Sequence, residues 1–114
     1  MKHKQFELWL ADLNPGKGTE PGKTRPVVIV QTDLLNDIHP STLICPITSE
    51  VQKKSQLLRV HLKKEQLNKP SDILCDQIRA IDNRRLLRKL GTLHKDQINT
   101  LRYNIKVVLD LLDC

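Results

Sequence analysis

Lys23-Thr24-Arg25-Pro26-Val27-Val28-Ile29-Val30-Gln31 opens on polar and cationic residues and continues as an unbroken apolar, β-branched run. A run of that composition is a strand buried on both faces. Pro26 suits the first position of such a strand, where its missing N–H disturbs the ladder least. Arg25 is then held at the mouth of a rigid element by a neighbour whose φ is locked. Taken alone, Arg25 is equally an ordinary surface arginine beside a core strand. What separates the two readings is whether the same chemistry recurs downstream.

Outward from this strand, apolar stretches alternate with polar connections. Phe6 to Leu13 reads as an earlier strand, with Phe6, Leu8 and Leu10 on one side and Glu7, Trp9 and Ala11 on the other. Asn14 to Thr24 holds two prolines and three glycines, a long loop of the kind that carries lids and binding residues. Glu20 and Lys23 lie on it. Thr32 to Asn36 is expected to form one helical turn, with Thr32 or Asp33 as its cap. Thr42 to Ile47 is a further apolar strand that delivers Thr48 and Ser49 to its end. The polar segment from Glu50 to Gln56, with Lys53 and Lys54, is a second connecting loop.

Leu57 to Leu62 alternates again, with Leu58, Val60 and Leu62 set against Arg59, His61 and Lys63. Lys64 to Ser71 is polar and breaks the sheet. Asp72 to Ile78 reads as a buried strand with Asp76 and Gln77 near its end, and Arg79 to Asp82 continues it or pairs back on it. Asp82 or Asn83 is placed to cap a short helical turn through Leu87, before Leu90 to Leu93 extends once more. From Lys95 to Leu112, Ile98, Leu101, Ile105, Val108 and Leu112 recur at helical spacing. The expected fold is mainly β with one helix. It has about five to seven short strands in a small antiparallel barrel or half-barrel, closed by the C-terminal helix.

A chain of 114 residues suffices for one domain, 1–114, with a single modest core. Aromatics make up only 3%, so that core is aliphatic. Trp9, the one large stacking platform, is expected inside it. No apolar stretch suits a signal peptide or a membrane span, so a cytoplasmic protein is expected, with no membrane partner. Cys45, Cys75 and Cys114 match no zinc pattern, and the first two sit in apolar surroundings that suit buried free thiols. His3, His39, His61 and His94 are scattered without ligand spacing. No metal and no cofactor is expected.

The net charge is +6, and most of the excess lies between Arg79 and Lys89. There Arg79, Arg84, Arg85, Arg88 and Lys89 face only Asp82 in the sequence. A local cationic stretch suggests a polyanionic partner, nucleic acid or an acidic protein segment, although many solvated faces look alike. Three polar clusters also stand at strand ends or on the long loop: Glu20-Lys23-Thr24-Arg25, Thr48-Ser49, and Asp76-Gln77 with Arg79. Each has an ordinary structural explanation, as a loop carboxylate, a turn cap or an ion pair. Together on one rim they would suit a phosphate, with bidentate donors, an orienting hydroxyl and a nearby base.

The residues also carry a resemblance. Trp9-Leu10-Ala11-Asp12-Leu13-Asn14-Pro15, Gly18-Thr19-Glu20 and Thr24-Arg25-Pro26-Val27-Val28-Ile29-Val30 resemble the N-terminal signature of MazF/PemK-type toxins. Pro46-Ile47-Thr48-Ser49 resembles the family's second motif. Cys75-Asp76-Gln77-Ile78-Arg79-Ala80-Ile81-Asp82 with Arg85-Leu86 resembles its third, and Leu90-Gly91-Thr92-Leu93 with the last helix its ending. The resemblance implies an SH3-like small barrel that works as a homodimer with single-stranded RNA across its face, and a metal-independent, sequence-specific endoribonuclease held in check by a cognate antitoxin. By the same resemblance Arg25 and Thr48 are the catalytic pair, and Glu20, Asp76 and Gln77 contact RNA. Lys23, Thr24, Ser49, Lys53 and Arg79 complete the expected substrate-binding set. One branch of the family has a histidine in the first loop and an arginine before the third motif's cysteine. Thr19 and Leu74 stand there, which favours the Arg25–Thr48 pair.

RNA cleaves itself when a 2′-OH attacks the adjacent phosphate, so such an enzyme need only orient the phosphate, take one proton and stabilise the developing charge. Glu20 is placed either to take that proton or to recognise a base edge. Two rival classes share the architecture. A CcdB-like toxin binds gyrase and cleaves nothing itself, but its inhibitory ending carries tryptophan and glycine where this chain has Leu111-Leu112-Asp113-Cys114. A non-catalytic RNA-binding barrel would rely on the basic stretch alone.

Overall fold

The computed structural model describes residues 2–14, 18–19, 23–54 and 58–113. Strand β2 (Thr24–Ile29) lies between β1 (Glu7–Asp12) and β3 (Ser41–Thr48), antiparallel to both. Successive strand residues face opposite ways, and both faces are covered here. Val28 joins Leu8, Cys45 and Ile47 in one core cluster, whereas Val27 and Ile29 join Trp9, Ala11 and Ile44 in a second. That is why the run beginning at Val27 contains no polar position.

The remaining strands are β4 (Arg59–Leu62), β5 (Ser71–Leu74), β6 (Arg79–Asp82) and β7 (Leu86–Thr92). The sheet runs β4-β5-β3-β2-β1-β7, and β6 also pairs with β3. β3 is long enough to serve two partners. Ile47 and Thr48 pair with Ile73 and Asp72 of β5, while Ser41 to Ile44 pair with β6. Ile81 of β6 and Leu86 of β7 meet the second cluster, yet no ladder joins those strands among the described residues. The expected barrel is therefore an open, curled sheet.

Helix α2 (Lys95–Val108) fills the other side, packing against β4 and the turn that follows β5. Leu101 is fully buried in the first cluster, with Ile98 and Ile105 packed beside it. Burial of a leucine contributes about 2–3 kcal/mol. Leu112, expected on the same stripe, lies past the helix end and is exposed. Two polar residues share the buried face. Gln97 and Gln66 exchange both amide hydrogen bonds, at 2.7 and 2.9 Å. Asn104 donates to the Arg59 carbonyl at 3.2 Å.

Several boundaries differ from the sequence reading. The strand expected over Asp72–Ile78 stops at Leu74, because Cys75–Gln77 forms a 3₁₀ turn. That turn carries Arg79–Asp82 away from β5 and onto β3. The polar breaker after β4 contains a short helix, α1 (Lys64–Leu67). The turn at Asn83–Arg85 is capped by Asp82, which accepts from the Arg84 N–H at 2.8 Å, and β7 begins at Leu86 rather than Leu90. Thr32 caps its turn as expected, its hydroxyl accepting from the Leu34 N–H at 3.2 Å.

Trp9 is only 4% exposed, a core residue as expected. Its Nε1–H donates to Glu7 Oε1 at 3.0 Å, and Lys89 closes on Glu7 Oε2 at 2.9 Å. Burial alone would raise the Glu7 pKa, but these donors and the Lys4 N–H hold it below the usual carboxylate value. Cys45 and Cys75 are buried free thiols. Burial pushes both pKa values up, that of Cys75 to about 11 against the opposing hydrogen bond from Asn104. Cys114 lies outside the described residues. None of the described helices is long and apolar enough to cross a membrane.

Candidate functional site

The last β2–β3 pair is Val27 with Pro46, and continuing that register by two residues sets Arg25 opposite Thr48. The two side chains line one cleft of about 550 Å³, together with Ser49, Asp76 and Gln77. All three polar clusters of the sequence thus send residues to a single rim. β2 supplies the arginine, the end of β3 the hydroxyls, and the 3₁₀ turn after β5 the acid and amide. A straight strand would have alternated Asp76 and Gln77 to opposite faces; the turn instead brings both to the cleft. Thr19 and Leu74 also stand on its wall.

Thr48 is half-buried, and its Oγ1 accepts from the Glu50 N–H at 3.1 Å. It caps the turn through a lone pair, which leaves its own O–H to donate into the cleft. A second cleft of about 210 Å³ shares Arg25, Thr48 and Ser49 and adds Thr24, Lys69 and Ser71. Arg25, Thr48 and Ser49 therefore form a wall common to two hollows, where an extended strand can cross with a neighbour accommodated on either side.

The other expected site residues are placed differently. Lys23 is exposed with φ 65°, and its N–H donates to Asn14 Oδ1 at 2.5 Å, closing the base of the long loop. Lys53 is exposed on the turn after Thr48. Arg79 is half-buried in β6, paired with Ile44. None of these three lines either cleft. Glu20 lies outside the described residues.

The basic stretch is less free than its sequence suggests. Arg84 grips both oxygens of Asp82 at 3.0 Å each, and that bonding holds the Asp82 carboxyl down at about 2. Lys89 meets Glu7, which the β1–β7 pairing brings alongside. Arg85 donates to the carbonyls of Asp12 and Asn14 at 3.1 and 2.6 Å.

Sequence reading missed the far wall of the larger cleft. Arg59, Glu50 and Gln52 line it, and so does Leu58, which was expected on the core face and is 36% exposed. Behind them Asp72 is fully buried. Its Oδ2 accepts from Arg59 Nη1 and the Gln52 N–H at 3.0 Å each, and its Oδ1 lies 2.6 Å from His61 Nδ1. Burial would raise the Asp72 pKa, but these donors outweigh it and hold the carboxyl below its usual range. The available signal was an acid entering an apolar strand, with Arg59 and His61 sharing one side of the preceding strand. Among the described residues no group of three or more His, Cys, Asp or Glu side chains gathers as a metal site.

Known proteins resemble this chain over nearly its whole length. Endoribonuclease EndoA of Bacillus subtilis (strain 168) is 32% identical over 112 residues, covering 96% of this chain and 97% of the relative. The solved structure of the Mycobacterium tuberculosis toxin MazF-mt6 is 27% identical and superposes with a TM-score of 0.79, covering 95% of this chain and 99% of that one. The Deinococcus radiodurans protein, solved as a MazE–MazF structure, shares the fold at 22% identity and a TM-score of 0.80, covering 98% and 99% of the two chains. The family described as PemK-like, MazF-like toxins of type II toxin–antitoxin systems matches residues 4–109. By that match and by its likeness to EndoA, the chain belongs to the PemK/MazF family of endoribonuclease toxins.

Proposed function

We propose that the chain cleaves single-stranded messenger RNA at specific sequences, without a metal, by attack of a 2′-OH on the scissile phosphate. The observation that carries this is the meeting of Arg25 and Thr48 on the wall common to two clefts. Arg25 clamps the phosphate through its planar donors and stabilises the pentavalent state. Thr48, whose acceptor lone pair is already used by Glu50, donates its hydroxyl hydrogen to the same oxygens. The bond between phosphorus and the 5′ oxygen breaks, leaving a 2′,3′-cyclic phosphate and a 5′-OH. Glu20, Asp76 and Gln77 meet the bases, and Thr24 and Ser49 the backbone beside the scissile bond. Lys23 and Lys53, exposed beyond the clefts, meet phosphates farther along the strand.

The same reading makes the protein a cytoplasmic homodimer restrained by an antitoxin. The Deinococcus protein of this fold was solved as a MazE–MazF structure, and a basic toxin suits an acidic, initially disordered tail that folds on binding. Incubation of the purified protein with mixed-sequence single-stranded RNA in EDTA tests the activity. Expected are discrete fragments bearing cyclic phosphates, and their loss in Arg25→Ala. Intact RNA that stays bound would favour a non-catalytic binder, and intact unbound RNA a gyrase-directed toxin. Co-expression with the product of the adjacent small reading frame tests the antitoxin; continued toxicity and no complex would refute it.

A further inference from the structure

We propose that Arg59 is a second phosphate-contacting arginine of the RNA cleft, held in place by the buried Asp72. The inference rests on the RNA-cleaving reading above and extends it to a residue outside the family motifs. An isolated buried carboxylate is costly, and an apolar side chain of similar size often serves stability as well as a buried ion pair. Ile73, the next residue along β5, is such a side chain, fully buried in the core. What Asp72 provides that an apolar residue does not is orientation. It fixes a guanidinium on the wall of a polar cleft.

The bonding of Arg59 leaves that guanidinium able to act. Nη1 alone makes both of its hydrogen bonds, to Asp72 Oδ2 at 3.0 Å and to the Glu50 carbonyl at 2.8 Å. A guanidinium has five N–H donors. Those on Nε and Nη2 have no protein acceptor among the described residues, and the side chain is 17% exposed. A planar pair of donors on a braced side chain matches a phosphate. The bracing also reaches the reaction centre. Glu50 accepts from Arg59 through its carbonyl and donates from its N–H to Thr48 Oγ1 at 3.1 Å. One residue thus sets the spacing between Thr48 and Arg59, so that Arg25 and Thr48 take the scissile phosphate while Arg59 takes a neighbouring one.

The test measures the Kd of a 2′-O-methylated, mixed-sequence single-stranded oligonucleotide, which cannot be cleaved, across a salt series. Arg59→Gln is expected to weaken binding about tenfold at low salt, one charge-assisted hydrogen bond's worth. It should also flatten the slope of log Kd against log salt by about 0.7, one phosphate contact on a single strand. Arg59→Lys, which keeps the charge and loses the fork, should restore the slope while binding less tightly than the wild type. A folding defect lowers the amount of competent protein and leaves the slope unchanged, so a role confined to stability predicts wild-type slopes in both variants and would overturn the proposal. A wild-type protein that binds no RNA would instead refute the functional reading itself.

Discussion

Thr48 and Asp72 are directly opposed in the β3–β5 ladder, and Asp72 is opposed in turn by His61 of β4. Opposed residues share a face of the sheet, so the hydroxyl at the cleft and the carboxylate bracing its wall stand on one three-strand platform. Asp72 is fully buried, and its donors hold its pKa below the usual carboxylate value despite that burial. The unfolded value is about 3.9. Stabilisation from a lowered pKa is complete above the unfolded value and is lost as pH falls through the folded one. Asp72→Asn leaves the Arg59 charge without its buried partner and is expected to lower stability by about 3–5 kcal/mol at pH 7. The gap to the wild type should narrow as pH falls below the unfolded value and close once the folded carboxyl is itself protonated. Thermal melts across that range check it, and a gap independent of pH would contradict it.

Arg85 donates through Nη1 to the carbonyls of Asp12 and Asn14 at the base of the long loop, and it lines neither cleft of the candidate site. Arg85→Ala is expected to cost about 1–2 kcal/mol by orphaning those groups. The salt slope of RNA binding should stay at the wild-type value, because Arg85 stands away from both clefts. Urea denaturation and a salt series on the same variant separate the two effects. A flattened slope would return Arg85 to the RNA path.

Trp9 lies in the core with its indole N–H on Glu7. Trp9→Phe keeps the ring and removes the donor, so a loss of about 1–3 kcal/mol is expected in urea denaturation. In the wild type, saturating RNA should leave tryptophan fluorescence nearly unchanged. Strong quenching would mean that a base stacks on the ring.

The course of the chain was legible where one face or both are apolar. Val27 to Ile29, Ile44 to Ile47 and the stripe from Ile98 to Ile105 become the strands and helix that hold the core. The lining of the candidate cleft was legible where polar residues end such elements, at Arg25, at Thr48 and at Asp76-Gln77. What stayed hidden depends on pairing across the sheet. Arg59 and His61 look like solvent-facing positions until β5 sets Asp72 beside them. Lys89 looks unpaired until β7 lies along β1 and reaches Glu7. Closure was hidden for the same reason, since nothing in the local patterns of β6 and β7 specifies whether they pair with each other. Helix α1 escaped notice because four residues carry too little periodicity to reveal a helix.

Arg25 and Thr48 still leave the proton of the attacking 2′-OH to be assigned. A guanidinium keeps its proton far above neutral pH, which makes it a poor base there. On the proposed function Arg25 is expected to act by charge and geometry, leaving the proton to a carboxylate or to solvent. Arg25→Lys separates the alternatives. Lysine keeps a positive charge but loses the fork, so single-turnover cleavage is expected to slow about a hundredfold. Because lysine ionises near 10.4, far from the working range, the acidic limb of the pH–rate profile should stay where the wild type has it. If the group at position 25 itself carried the proton, the profile would move down by about 2 units or more, the difference between the two side chains. A limb that stays fixed while the rate falls identifies Arg25 as the phosphate clamp.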